Sequence, residues 1–351
     1  MKKQIAIALL LMVYAAALTA QNEFKPGGTG IGTVFFNYKY DLTKDVTKKS
    51  SFNLDRAYLG YKYDFSPTIS GRVLFDVGYD ANTKAYTAFA KNAYVDWTIT
   101  PHVRLTAGLI PLHHFDLMEK AWGYRYIIKP FADEYGMGTT ADLGFNLELP
   151  INDVFTFDAY VINGEGFKSL QDDFGMHKFG ASATVKPVEG LSFRLHYDLN
   201  PNKYYPDETT VERDTTTISV FSAFVGYEVK DKFRVGVDYN MMNNATEYRK
   251  PSKDHNLSGF SVFGTYIFNP KYEIFARYDY LKSNTLEGEN MHWSTKDGSL
   301  VMAGIQYRPI KNVNFALNYR TWLYKDKNID GIPGDDLNNP AGIYLNLGMF
   351  F

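Results

Sequence analysis

Leu191-Ser-Phe-Arg-Leu-His-Tyr-Asp-Leu199 decides the fold. Leu191, Phe193, Leu195, Tyr197 and Leu199 alternate with Ser192, Arg194, His196 and Asp198. Successive side chains of an extended chain point to opposite sides, so a period of two gives a strand one apolar and one polar face. Phe155-Thr-Phe-Asp-Ala-Tyr-Val161 and Phe315-Ala-Leu-Asn-Tyr319 repeat the pattern, and beyond Gly30 there is no convincing amphipathic helix longer than two turns. The chain reads as all-β.

The connections between such strands alternate in length. Short turns rich in Pro, Asn, Asp, Lys or Gly stand at 66–67, 100–101, 152–153, 186–190, 230–232, 269–270 and 309–312. Longer polar stretches stand near 41–51, 80–85, 111–138, 164–176, 201–214, 242–256, 282–297 and 325–340. Seven turns and eight loops imply about sixteen strands in an antiparallel up-and-down order. Long loops at one end and short turns at the other are the mark of a transmembrane β-barrel. The faces agree: Ala57, Leu59, Tyr61, Tyr63 and Phe65 share one side of a strand, and Arg56, Tyr58, Gly60, Lys62 and Asp64 the other. Side chains cannot fill so wide a barrel, so the charged face must line a wet lumen and the apolar face must meet lipid. Tyr79, Trp97, Tyr227, Tyr280 and Tyr307, near strand ends, suit an interfacial aromatic girdle.

Composition narrows the rest. Aromatics are 16% and hydrophobics 45% of 351 residues, too apolar for disorder. A formal charge of −2 gives no basic field, so no nucleic-acid partner is expected. Without cysteine there is no thiol chemistry, disulfide or cysteine-ligated metal. The apolar run at 5–18 is too short for a membrane helix; with Lys2 and Lys3 before it and Leu18-Thr19-Ala20 after, it reads as a signal peptide over residues 1–20, leaving 21–351 as the barrel. Ile343-Tyr-Leu-Asn-Leu-Gly-Met-Phe-Phe351 alternates up to an aromatic residue, so Phe351 is expected to serve as the signal to the barrel-assembly machinery of a Gram-negative outer membrane.

Gly108-Leu-Ile-Pro111, then Glu119, Arg125 and Phe131-Ala-Asp-Glu134, resembles the strand and inward loop of the phosphate-selective porin family; Asp142-Leu-Gly-Phe-Asn146 and Asp158-Ala-Tyr-Val-Ile-Asn-Gly-Glu-Gly166 resemble the strands that follow. The resemblance implies a sixteen-stranded, commonly trimeric channel whose third loop folds into the pore. The dense arginines and lysines of its phosphate-specific members are not matched here.

The third loop, 111–137, would then be the constriction, carrying His113, His114, Asp116, Glu119, Lys120, Arg125, Lys129, Asp133 and Glu134, with Trp122, Tyr124 and Tyr126 to anchor it. An outward surface loop is the alternative. Alternation points Arg56, Lys62, Arg72, Arg104, Arg194, Asp198, Arg234, Asp238, Arg277, Asp279 and Arg320 at the pore. Acids and bases nearly cancel along this wall, so weak ion selectivity is expected. Adjacent His113 and His114 make a poor metal site, and His196, facing the lumen between Arg194 and Asp198, does not suit a lipid-facing hydrolase; no enzyme is expected. Asp326, Asn328 and Asp330, with Gly331, have calcium-loop spacing, but the bidentate Glu is replaced by Leu337, and a solvated loop of Asx turns is the plainer reading. No other cofactor is expected. The function expected is a passive diffusion channel for small hydrophilic solutes across the outer-membrane bilayer. A substrate-specific channel for phosphate or another anion, and a non-conducting barrel used as adhesin or anchor, are the rivals.

Overall fold

A computed structural model describes residues 24–80, 83–204, 214–325 and 339–351. The signal-peptide reading of 1–20 and the calcium reading of Asp326, Asn328 and Asp330 lie outside the described residues. Sixteen antiparallel strands close into one barrel. They are β1 Gly27–Asp41, β2 Ser50–Asp64, β3 Ile69–Asp80, β4 Ala85–Thr100, β5 Val103–Pro111, β6 Ala141–Pro150, β7 Phe155–Ile162 and β8 Lys178–Val188. The other half is β9 Leu191–Tyr204, β10 Asp214–Val229, β11 Phe233–Asn243, β12 Leu257–Asn269, β13 Tyr272–Ser283, β14 Gly298–Ile310, β15 Val313–Tyr324 and β16 Ala341–Phe350. Each strand pairs with its sequence neighbours, and β16 returns to β1, from Thr33 opposite Phe350 to Asp41 opposite Gly342. Closure leaves no unpaired edge, which lipid would not tolerate.

The turns are shaped by the residues that foretold them. Asn152 Oδ1 accepts from the amides of Val154 (2.9 Å) and Phe155 (2.8 Å), and Asn269 Oδ1 accepts from Lys271 (2.9 Å) and Tyr272 (3.2 Å). Such Asx turns satisfy the amides of a tight reversal.

On β9, Leu195 and Tyr197 are at least half exposed on the outer face, while His196 and Asp198 are buried. The alternation breaks at two bulges. Phe35 faces Arg56 but Phe36 faces Leu54, leaving Asp55 as an extra residue on β2; Leu74 faces Asn92 but Phe75 faces Ala90, leaving Lys91 extra on β4. A bulge re-aims side chains, and here Asp55 and Arg56 line one cavity although they are adjacent in sequence.

The connection from β5 to β6 turns into the barrel. It holds α1 (Asp116–Trp122) and α2 (Phe131–Glu134). Trp122, Tyr124 and Tyr126 are at most 2% exposed and pack on Phe35 of β1, Phe224 of β10, Phe263 of β12, Phe275 of β13, Met302 of β14 and Ala316 of β15. Phe115, Phe131, Tyr135 and Met137 pack on Ile218, Val220, Met242, Leu257 and Leu281. An outward loop is therefore excluded, and these clusters are an apolar core packed against β1 and β10 to β15. Gly123 ends α1 with φ +74°, and a Cβ there would come within 2.8 Å of Arg234 Nη2, so the loop can reverse and still seat against β11.

Candidate functional site

Among the described residues, water-accessible chambers lie along the lumen, of which three concern the loop. The outermost, about 180 Å³, is lined by Lys129 and Asp133 of the inward loop and by Lys168, Glu247 and Arg249 of the long external loops. A central chamber of about 320 Å³ lies between β1, β2, β15, β16 and loop residues 125–134. Lys129 borders both chambers. A third, about 340 Å³, opens at the short-turn end between α1 and the wall residues Arg104, Glu148, Asp158 and Arg194. The loop separates the central and third chambers.

Ion pairs fix the polar side of the loop. Arg125 lies 3.2 Å from Glu119 and 3.6 Å from Asp133, and Lys129 lies 3.3 Å from Asp133. The Asp133 carboxyl, whose burial alone would raise it, is held below its usual range by Lys129, Arg125 and Lys91. Opposite, Arg56 donates to Asp76 at 2.6 Å, and Lys91 donates to Thr140 at 2.9 Å and sits over the rings of Phe167 and Tyr58. Around the central chamber and its rim, Arg56, Lys91, Arg125, Lys129 and Arg320 stand against Asp55, Asp76, Glu119, Asp133 and Glu134. In number the two signs balance, and three of each pair within 4 Å.

Behind the loop the wall is sealed. Arg277 binds Asp279 in two-pronged fashion (2.8 and 2.7 Å) and donates to the Lys129 carbonyl at 2.6 Å. Glu273 accepts from Tyr124 (2.8 Å), Arg234 (3.1 Å) and Arg308 (3.2 Å). Charged, paired hydrogen bonds of this kind hold geometry as well as energy. The loop is clamped through its own backbone and aromatic rings.

His114 enters a second buried network. Its ring stacks on His196 with centroids 3.9 Å apart. Ser222 donates to Asn240 Oδ1 at 2.5 Å, so its oxygen accepts from His114 Nε2 at 2.8 Å, which puts a proton on that nitrogen. His196 Nδ1 lies 2.9 Å from Ser182 and its Nε2 3.0 Å from Asp198, which Lys178 Nζ also meets at 2.8 Å. Arg194 bonds Ser182 (2.9 Å) and Asp158 (3.0 Å). The donor atoms of His114, His196 and Asp198 come within 4.8 Å of one another, yet the Lys178 ammonium already occupies the carboxylate and both ring nitrogens of His196 are engaged. A metal ion would have to displace these partners, so the set reads as a structural network.

The neighbouring histidines respond to acid in opposite ways. Burial depresses the His114 pKa, with His196, Lys178 and Arg194 adding to it. Burial also acts against a charged His113, but Asp116 at 2.8 Å outweighs it, with help from Asp158 and Glu148, and raises that pKa. The raised His113 contributes stability that is complete below about pH 6.5 and is lost as pH rises through its folded value. The depressed His114 costs stability as pH falls below about 6.5, because the unfolded chain then takes a proton that the folded chain refuses. His114→Gln is therefore expected to reduce the loss of stability between about pH 8 and pH 5, and His113→Gln to enlarge it. Melting midpoints of the folded, heat-modifiable form at the two pH values measure this. An unchanged pH response in His114→Gln would contradict it.

Residues 139–349, more than half of the chain, match the family model described as "Putative beta-barrel porin-2, OmpL-like". The chain belongs to that porin family. It shares with the resemblance seen in the sequence the outer-membrane porin; a phosphate preference has no counterpart in the family's description. No curated protein matches the chain. Among solved structures, OmpF of Salmonella typhi, in complex with daunomycin, superposes with a TM-score of 0.67 at 11% identity, over 92% of this chain and 97% of that one. The anion-selective porin of Comamonas acidovorans gives 0.63 at 12% identity, over 93% and 100%. The trimer form of Vibrio cholerae OmpT gives 0.62 at 14% identity, over 93% and 100%. Their likeness is one of fold. The porin is an outer-membrane protein of a Gram-negative cell.

The porin brings Arg125, Lys129, Asp133 and Glu134 to the central and outer chambers, with Glu119 paired to Arg125, and His113, Asp116 and Lys120 to the third. His114 is buried and faces no chamber. On the wall, Arg56 and Arg320 line the central chamber, and Arg104 and Arg194 the third, where Arg104 is clasped by Asp96. Lys62 pairs with Asp64 at 2.8 Å near the short-turn rim, and Arg72 is half-buried with its Nε unpartnered. Asp198, Asp238, Arg277 and Asp279 correct the expectation: they face inward but are at most 3% exposed, because the loop or their neighbours cover them. Arg234 likewise packs under Tyr124. Asp55 and Lys91 were not among the inward residues expected, whereas Lys178 lies on the inner face that alternation gives it, buried. Adjacent polar pairs, Asp55-Arg56 and Lys91-Asn92, are the signal that marks the first two as bulges.

Proposed function

We propose that this porin is a narrow, passive diffusion channel for small hydrophilic solutes and ions, weakly selective, with no catalytic group and no resident cofactor. The observation that supports it is the balance around the central chamber, five cations against five carboxylates, most of them paired within 4 Å. A permeating ion would meet a field that is strong across the pore and small in net sign. For a tenfold potassium chloride gradient the reversal potential is expected within about 15 mV of zero, against roughly 59 mV for an ideally selective pore. A value near that limit, of either sign, would replace this reading with a selective channel, and absent conductance in correctly folded protein would replace it with a closed barrel. We also propose that residues 1–20 are removed as a leader, that β16 with Phe351 is what the assembly machinery receives, and that the porin forms trimers. Alternation up to Phe351, whose backbone exchanges hydrogen bonds of 2.8 and 2.5 Å with Gly32 of β1, and the trimeric form of Vibrio cholerae OmpT are the supports.

A further inference from the structure

Of the central-chamber cations, Arg320 and Lys91 have no ion-pair partner among the described residues; Lys91 is held by Thr140 and two rings instead, which leaves Arg320. It sits on β15 at 6% exposure and faces the central chamber. No carboxylate among the described residues lies within 4 Å of it; its Nη1 donates to the Ile127 carbonyl at 3.1 Å, and its Nε has no partner. The guanidinium sits over the Tyr344 ring, 3.5 Å from its centroid, which holds it in place without neutralising it. A buried, unpaired charge is costly and calls for a counter-charge. Bulk chloride does not need so oriented a fork, whereas a planar carboxylate matches it.

The neighbouring strands of the same chamber, β1 and β2, carry different chemistry. Asn53 donates to Asn37 Oδ1 at 3.0 Å, and Asn37 donates to the bulged Asp55 at 2.5 Å. This amide–amide–carboxylate row presents alternating donors and acceptors, as a polyhydroxylated chain requires. Trp322 and Tyr344 add flat apolar surface. A volume of about 320 Å³ is at the small end of ligand sites and suits a molecule of sugar size.

We propose that the central chamber is a binding subsite for small polyhydroxylated carboxylates, such as sugar acids, with Arg320 taking the carboxylate and the Asn53–Asn37–Asp55 row taking the hydroxyls. The proposal rests on the channel reading only in that the solute arrives through the lumen. Binding itself can be measured without current.

The probe is gluconate, titrated calorimetrically into the folded barrel in detergent, with glucose and butyrate as partial ligands. Gluconate is expected to saturate with a dissociation constant on the order of 1 mM, and each partial ligand to bind at least roughly ten-fold more weakly. Arg320→Gln should weaken gluconate roughly ten-fold or more while leaving glucose unchanged, and Asn53→Ala should weaken gluconate but not butyrate. Glucose binding as well as gluconate, no saturation at all, or full gluconate affinity in Arg320→Gln would each overturn the subsite. Conductance of the same preparation in potassium chloride separates the two readings: current without gluconate binding sinks the subsite alone, and binding without current sinks the channel alone.

Discussion

Replacing residues 119–129 by a short glycine–serine link is expected to raise single-channel conductance by roughly two-fold or more and to admit larger neutral solutes. The segment carries Trp122, Tyr124 and Tyr126, which fill the barrel against Phe263, Phe275 and Met302, and the Glu119–Arg125 pair beside the central chamber. With it gone, the Glu273 cluster would lose the Tyr124 donor and Arg277 the Lys129 carbonyl acceptor, and both would meet water. The wall survives such a change because its strands pair with one another and not with the loop. Heat-modifiable mobility establishes folding separately. Wild-type conductance in a folded deletion variant would show that this segment does not limit flow.

Asp198→Leu is expected to lower stability by about 3–5 kcal/mol, because it strands a buried ammonium. Lys178 and Asp198 have 1% and 0% of their side chains exposed and are 2.8 Å apart, with His196 on the same carboxylate oxygen. Removing one charge leaves the other with no ion-pair partner among the described residues, and the Tyr248 ring 4.3 Å from the Lys178 nitrogen is a weak substitute. Lys178→Met/Asp198→Leu should recover most of the loss, since two apolar groups of similar volume need no partner. Denaturant midpoints of parent, single and double variants decide it. A single variant as stable as the parent, or a double variant no better than the single, would contradict the account.

The barrel was legible because its rule is one-dimensional. Period-two alternation and the spacing of Asn152, Asn269 and Asn312 in turns depend on local chain geometry, which the sequence carries directly. The inward loop was legible in composition, since Trp122, Tyr124 and Tyr126 have no reason to sit in a solvated loop. What alternation could not convey is which inward residues keep contact with water. Arg277 and Arg320 both alternate inward, yet one is sealed by a bidentate carboxylate and the other faces a chamber. That difference is set by where a distant loop lands across the lumen. Asp55 and Lys91 escaped for a different reason, because a single bulge shifts the parity on which the whole projection rests.

The position of Tyr126 has a consequence for the order in which the molecule is built. Its ring packs on Phe35 of β1, its carbonyl accepts from Asn346 of β16 at 3.4 Å, and its hydroxyl donates to Gln306 of β14 at 2.8 Å. A Cβ on Gly348 of β16 would come within 2.8 Å of that ring. One side chain thus touches both strands of the seam that closes the cylinder. Residue 126 precedes β16 by more than two hundred positions in the chain, so it is available long before the seam can form. The loop can act as a mandrel: the last strand has a shaped surface to settle on as well as a free edge to find, and a sheet rolled without that surface would have to close around water.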